Sequence, residues 1–363
     1  MTDTAVHPYS SHAPVFTVGG RTEGQVGRDL LRLDIEEGCL GLRTLVAHLH
    51  PVGPRSDGSV ETLSYLDGSV LDFGSSIAVT LGPAGGERQV FTGTVSALEV
   101  VFEEGESPYV TVFAEDALMK LRLHHRTATY ADVSDAGIAE AMAGEHGLGA
   151  EVDADGPSYP LVQQWEESDL SFLRDRALRV DAELWVDSAG ALHFATRDKR
   201  EGADLTLVQG NELVSVHARA DLAHQRADVE VSGWDFATVD APVEAAGADV
   251  VAAEVSGGRT GPQVVGRVFD RPRLTRARRD ARTTESASAY ARAEMLRRAR
   301  RFVTVDGVTA GTPDLFPGAH LDLHRVGRPF EGDGYRVVHA HHSYDLGTGY
   351  RTAFRAERPT VAS

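Results

Sequence analysis

A single cysteine, Cys39, stands among 363 residues, so no disulfide can form within the chain and a reducing site of synthesis is expected. Lysine is nearly missing. The 36 basic residues are almost all arginine and face 54 acidic ones, for a net charge of −18. That balance favours solubility and argues against generic binding to nucleic acid or to an anionic membrane surface. No run approaches the roughly 18–20 apolar residues needed to span a bilayer, so no membrane insertion is expected. Met1 to Pro14 is polar, with neither the basic nor the apolar region of a secretory leader.

Catalytic signatures are missing too. There is no Gly-x-Ser-x-Gly, His-Glu-x-x-His or Walker-type sequence. Gly147-Leu148-Gly149 lacks a third glycine and follows a helical pattern, which defeats a dinucleotide reading. Serine, histidine and aspartate share no triad-like spacing. Asp153-Ala154-Asp155-Gly156 begins like a calcium loop, but Pro157 takes the next ligand position and no glutamate follows at the twelfth, so a turn is expected. His339, His341 and His342 have neither cysteine nor carboxylate at fixed spacing and are read as structural or surface histidines. Glu36-Glu37 and Glu103-Glu104 are read as solvated turns. No catalytic residue, metal or cofactor is expected.

What is present is a chain 42% hydrophobic and 25% charged, long enough for roughly two to four domains at about 100–150 residues each. Short apolar–polar alternations fill residues 14–120: Val15-Phe16-Thr17-Val18, Leu30 to Ile35, Leu40 to Leu49, Ile77 to Leu81, Val90 to Val101 and Tyr109 to Ala114. Gly93 interrupts the longest, where a bulge or bend is expected. The period then changes. Ser134 caps a helix carrying Ile138, Ala141 and Met142 and stopped by Gly147, and Ser168-Asp169 opens a second with Leu170, Leu173, Ala177 and Val180. Leu184-Trp185-Val186 and Leu192-His193-Phe194 form a hairpin around Ser188-Ala189-Gly190.

From Leu205 the pattern is strand-like again, at Leu213 to Ala218 and Ala227 to Asp235. Residues 238–270 have weak periodicity and read as irregular. A helix over 283–302 is expected, capped by Thr284, with Ala287, Ala291, Met295, Ala299 and Phe302 on one face and a Glu294–Arg298 pair. Residues 271–301 hold eleven arginines against Asp280, Glu285 and Glu294, a net of +8, so the rest of the chain carries −26. Arg292, Arg297, Arg298 and Arg301 are the expected interface residues, a basic helix face docking onto an acidic partner surface. A closing hairpin, Tyr335 to Asp345 and Tyr350 to Arg358, turns at Gly347-Thr348-Gly349.

That hairpin, together with Phe91-Thr92-Gly93-Thr94-Val95, Pro108 to Asp116, Tyr130 to Ser134, His146-Gly147 and Glu167-Ser168-Asp169-Leu170-Ser171-Phe172-Leu173, resembles the late control gene D proteins and VgrG-like baseplate hubs of contractile tails and injection systems. The resemblance implies a β-rich α+β fold with two tube-type antiparallel β-barrel domains. The first would span 1–120 and the second 201–237 with 303–363. A small α/β insert would occupy 121–200, and an irregular excursion plus amphipathic helix 238–302. It further implies a non-enzymatic hub, made and assembled in the bacterial cytoplasm as part of a virion or injection particle. Three copies would join a sixfold tail tube to a threefold spike and contact baseplate wedge proteins. The chain stops at Ser363, after the second barrel, so the spike is expected to be a separate polypeptide. Two other classes stay open: a tail-tip cell-wall hydrolase with an unrecognised site, and a carbohydrate-binding β-barrel protein.

Overall fold

Alternation of apolar and polar residues places one face of each N-terminal strand against a core and leaves the other open. The computed structural model describes residues 13–54, 60–61, 63–83, 85–154, 156–235, 238–255, 257–278 and 280–362; Asp155 of the calcium-like turn lies outside them. The first part of the chain forms β1 (Val15–Val18), β2 (Leu30–Gly38), β3 (Thr44–Leu49), β4 (Ser76–Leu81), β5 (Arg88–Val101) and β6 (Tyr109–Glu115). Leu33, Ile35, Leu45, Val79, Phe91 and Val112 are buried together beneath them. Gly93 is itself paired, with Ile77, and the bulges fall on either side of it. It is glycine because a Cβ there would lie 2.3 Å from the Glu115 carbonyl oxygen.

The insert contains β7 (His125–Ser134), α1 (Asp135–Glu145), β8 (Gly149–Asp153), β9 (Ser158–Ser168), α2 (Asp169–Arg179), β10 (Ala182–Val186) and β11 (Ala191–Thr196). Ser134 and Ser168 cap α1 and α2 through the Gly137 and Ser171 amides, and Gly147 (φ +66°) follows the end of α1. The hairpin pairs Leu184 with Phe194 and Val186 with Leu192, as the pattern predicts.

Strands β12 (Asp204–Val208) and β13 (Leu213–Ala220) follow. The chain then leaves the large sheet. β14 (Asp228–Ser232) pairs with β15 (Val243–Gly247) and β16 (Arg273–Ala277), and this small sheet, with α3 (Gly261–Val268) nearby in sequence, packs on α4 (Thr284–Arg300). Residues 238–270 therefore hold more regular structure than their weak periodicity signals, because a mixed three-stranded sheet with Ala-rich packing shows no clean alternation. Thr283 rather than Thr284 caps α4. Ala287, Ala291, Met295 and Ala299 bury as expected, while Phe302 joins the neighbouring core. The last strands are β17 (Val303–Thr309), β18 (His320–His324), β19 (Gly332–Asp345) and β20 (Gly349–Arg358).

One 13-stranded sheet unites the two ends of the chain, in the order β13-β17-β20-β19-β2-β3-β6-β5-β4-β1 with the short strand Arg21–Thr22 beyond β1 and β18 and β12 branching from β19. Its halves have the same strand order: β2-β3-β6-β5-β4-β1 in one, β13-β17-β20-β19-β18-β12 in the other. Registers match as well. Leu30↔Leu49 followed by a bulge corresponds to Leu213↔Thr309 followed by a bulge. Val95↔Ala114, a bulge and Ala97↔Phe113 correspond to Val337↔Ala356, a bulge and His339↔Arg355. Ile77↔Gly93 corresponds to Leu321↔Tyr335. One departure is the sixth strand, antiparallel in β1·β4 and parallel in β12·β18.

Candidate protein interface

Strands β2 and β19 join the two halves, pairing His339 with Gly38, His341 with Glu36, Ser343 with Asp34 and Asp345 with Arg32. Alternation sends His341 to one face, where its Nε2 lies 2.8 Å from the Asp34 carboxylate, and His342 to the other, where it is buried. His342 sits 2.8 Å from the Tyr350 hydroxyl, and burial lowers its basicity to about 3, so it is a neutral core group. Burial alone would raise the Asp34 pKa, but hydrogen bonds from His341 and Arg32 outweigh it and hold it at about 2. A folded value below the unfolded one contributes stability above about pH 4 that is lost as pH falls toward 2. Asp34→Asn is expected to cost about 1–2 kcal/mol at neutral pH, allowing for solvent screening, and to flatten the acid limb of a denaturation-versus-pH curve. An unchanged limb would refute this role.

Glu37, read from sequence as part of a solvated turn, instead lies within β2 with its side chain 3% exposed. It accepts from Arg43 (Nε, 2.7 Å) and from Arg200. Arg200 stacks over Trp185 at 4.8 Å and faces Glu183 of β10, which also meets Arg336 at 3.3 Å. This buried node ties the first half, the insert and the second half together.

Two of the free edges of the large sheet correspond, half to half, to the strands that join the two halves. Among the described residues, apart from a single bridge to Gln209, β13 pairs only with β17, and the Ala97–Val101 part of β5 pairs only with β6. Free edges present rows of unpaired N–H and C=O groups, which invite another strand. Val214 and Val100 on these edges are exposed, as is Phe102 just beyond.

The sequence-predicted arginines lie beside the β13 edge. Arg297, Arg298 and Arg301 line a groove of about 670 Å³ with His217, Arg219, Asp221, Asp306, Arg355 and Glu357. Arg297 and Arg298 both bind Glu294 of their own helix. Arg297 also donates to the Leu178 carbonyl at 2.8 Å, and Arg301 meets Glu357 at 3.2 Å. Arg292 is exposed on α4 and lies outside the groove. Sequence reasoning passed over Arg300, which is buried and clamps Asp181 (2.6 Å) of the insert and Glu254 (2.9 Å) onto α4. It also passed over the edge residues Glu99 and Arg219, for which no motif exists.

Among the described residues, one group brings metal-ligand types together: His124, His146 and Asp169, with ligand atoms within 4.8 Å of one another. Sequence spacing gave no sign of it, because the three come from separate segments. No helix among the described residues is long and apolar enough to cross a membrane.

Comparison with known proteins bears on this geometry. The family model described as the Alg8 N-terminal domain matches residues 55–345. No curated protein matches the chain by sequence. Among solved structures, the 43 kDa tail protein of prophage MuSo2 from Shewanella oneidensis aligns at 14% identity and TM-score 0.69, over 96% of this chain and 98% of that one. A tail protein from Neisseria meningitidis aligns at 13% identity and TM-score 0.66, over 96% and 97%. An E. coli component of the type VI secretion system, similar in structure to the T4 bacteriophage tail proteins gp27 and gp5, aligns at 14% identity and TM-score 0.57, over 91% and 73%. At these identities the likeness establishes the fold, which is that of these tail proteins, in agreement with the resemblance drawn from the sequence.

Proposed function

We propose that this chain, which belongs to the Alg8 N-terminal domain family and has the fold of phage tail proteins, is a structural baseplate hub of a contractile tail or injection particle, three copies of which form a ring between a sixfold tube and a threefold spike. One observation carries this reading: the two halves share strand order and register and are already joined edge to edge by β2·β19. The same union, repeated between chains, would pair β13 of one copy with β5 of the next. A heterologous contact of this kind closes into a ring when its rotation allows. Three chains then contribute six equivalent half-sheets, while the insert and the α4 module occur once per chain and keep threefold symmetry. The hub works by geometry rather than catalysis, and is assembled in the bacterial cytoplasm with tube, spike and wedge proteins.

Carrying the β2·β19 register onto the free edges sets Leu98 against Ala220, Glu99 against Arg219 and Val100 against Ala218. Two apolar pairs flank one pair of opposite charge, a favourable cross-strand set. Directly opposed Cβ atoms lie about 4.5–5.5 Å apart, near the reach of a disulfide. The variant Val100→Cys/Ala218→Cys, oxidised after assembly with tube and spike proteins, is expected to run as linked two- and three-chain species on a non-reducing gel, with each single variant as control. Cys39 does not compete, because burial pushes its thiol up and keeps it protonated. A double variant that stays a single chain under these conditions would refute the edge pairing.

A further inference from the structure

We propose that His124, His146 and Asp169 form a binding site for a transition-metal ion, Zn2+ foremost, at the base of the insert. The inference does not rest on the hub reading. The three ligands come from the segment entering β7, the end of α1 and the start of α2. Backbone contacts hold them: the Asp169 amide donates to the His124 carbonyl at 3.0 Å and the His146 amide to Met142 at 3.1 Å. The two imidazoles meet edge to face with centroids 5.3 Å apart, and His146 Nε2 lies 2.8 Å from Asp169 Oδ2.

The buried Asp169 carboxylate is oriented by its neighbours. Oδ1 accepts from Gln164 at 2.8 Å and Arg126 at 2.8 Å, and Oδ2 accepts from Arg126 at 3.0 Å. Outer partners of this sort fix ligating carboxylates in metal sites. Arg126 brings positive charge, but Glu145 meets it at 2.5 Å and offsets it. The ring of His124 is exposed and makes no hydrogen bond among the described residues, so it is free to ligate. A cation entering between His146 and Asp169 takes the place of the proton they share. At about 2.0–2.1 Å from each ligand it needs only a small widening of their separation.

Two imidazoles and one carboxylate select zinc and its neighbours over magnesium or calcium, which favour all-oxygen sites. A fourth position is left for water. The bound ion would cross-link the end of α1 to the backbone-paired start of β7 and end of β9, stiffening the insert where α1 and α2 converge.

The test is calorimetric titration of the chelator-treated full chain with ZnCl2. One tight site per chain is expected, unaffected by millimolar Mg2+, with affinity falling at least about 10-fold in His124→Ala. The His124 ring is exposed and makes only the edge-to-face contact with His146, so that variant should keep the fold, checked by its melting curve. Substitution with Co2+ should give a visible absorption band in the wild type that His124→Ala and His146→Ala both lose. Absence of a stoichiometric site, or a His124→Ala variant that binds as the wild type does, overturns the proposal.

Discussion

Replacing Glu37 with alanine is expected to cost about 3–5 kcal/mol of folding stability, a large part of the roughly 5–15 kcal/mol typical of a domain. Its carboxylate is one of two, with Glu183, that balance Arg43, Arg200 and Arg336 in a place water scarcely reaches. Without it three guanidinium groups share one carboxylate, and the lost attraction leaves their desolvation uncompensated. Burial already lowers the Arg336 pKa to about 10, a sign of how poorly the site tolerates further positive charge. Glu36→Ala, one residue away but pointing to solvent with its side chain 53% exposed, should cost less than about 0.5 kcal/mol. Equilibrium unfolding in guanidinium chloride separates the two. Comparable losses for Glu36→Ala and Glu37→Ala would mean that the node contributes no more than its surface neighbours.

Glu99→Arg is expected to reduce ring formation by about two orders of magnitude while leaving the isolated chain as stable as before. In the carried-over register it places arginine opposite Arg219, and like charges directly across a strand pair cost roughly 1 kcal/mol relative to an opposed pair. A closed ring of three repeats that penalty three times, giving about 3 kcal/mol, or about 10²-fold in assembly. Arg219→Glu should act likewise, and the double variant Glu99→Arg/Arg219→Glu should assemble again, because the attraction is restored with its sign inverted. Both side chains are exposed in the single chain, so folding is not at stake. Mass photometry with tube and spike proteins present reads the outcome. Failure of the double variant to recover, with both singles impaired, would show that these residues do not face each other.

Local structure was largely legible in the residues themselves. The serines at 134 and 168, the Leu184–Phe194 hairpin, the small-residue stripe of α4 and the alternating strands of both halves each follow from interactions within a few positions, where side-chain period and backbone capping act directly. The sequence determined these elements, and with them a β-rich chain with an α/β insert. Tertiary structure alone decided which strand edges meet, that Glu37 is buried and Glu36 is not, that β14 leaves the large sheet for the small one, and that His124, His146 and Asp169 converge. Edge pairing is made by backbone N–H and C=O groups, which every residue but proline carries, so Leu98 can stand where Ala340 stands and Glu99 where His341 stands without disturbing the register. The two halves thus repeat in hydrogen-bond geometry while their side chains differ, and a repeat of that kind leaves almost no trace in the order of amino acids.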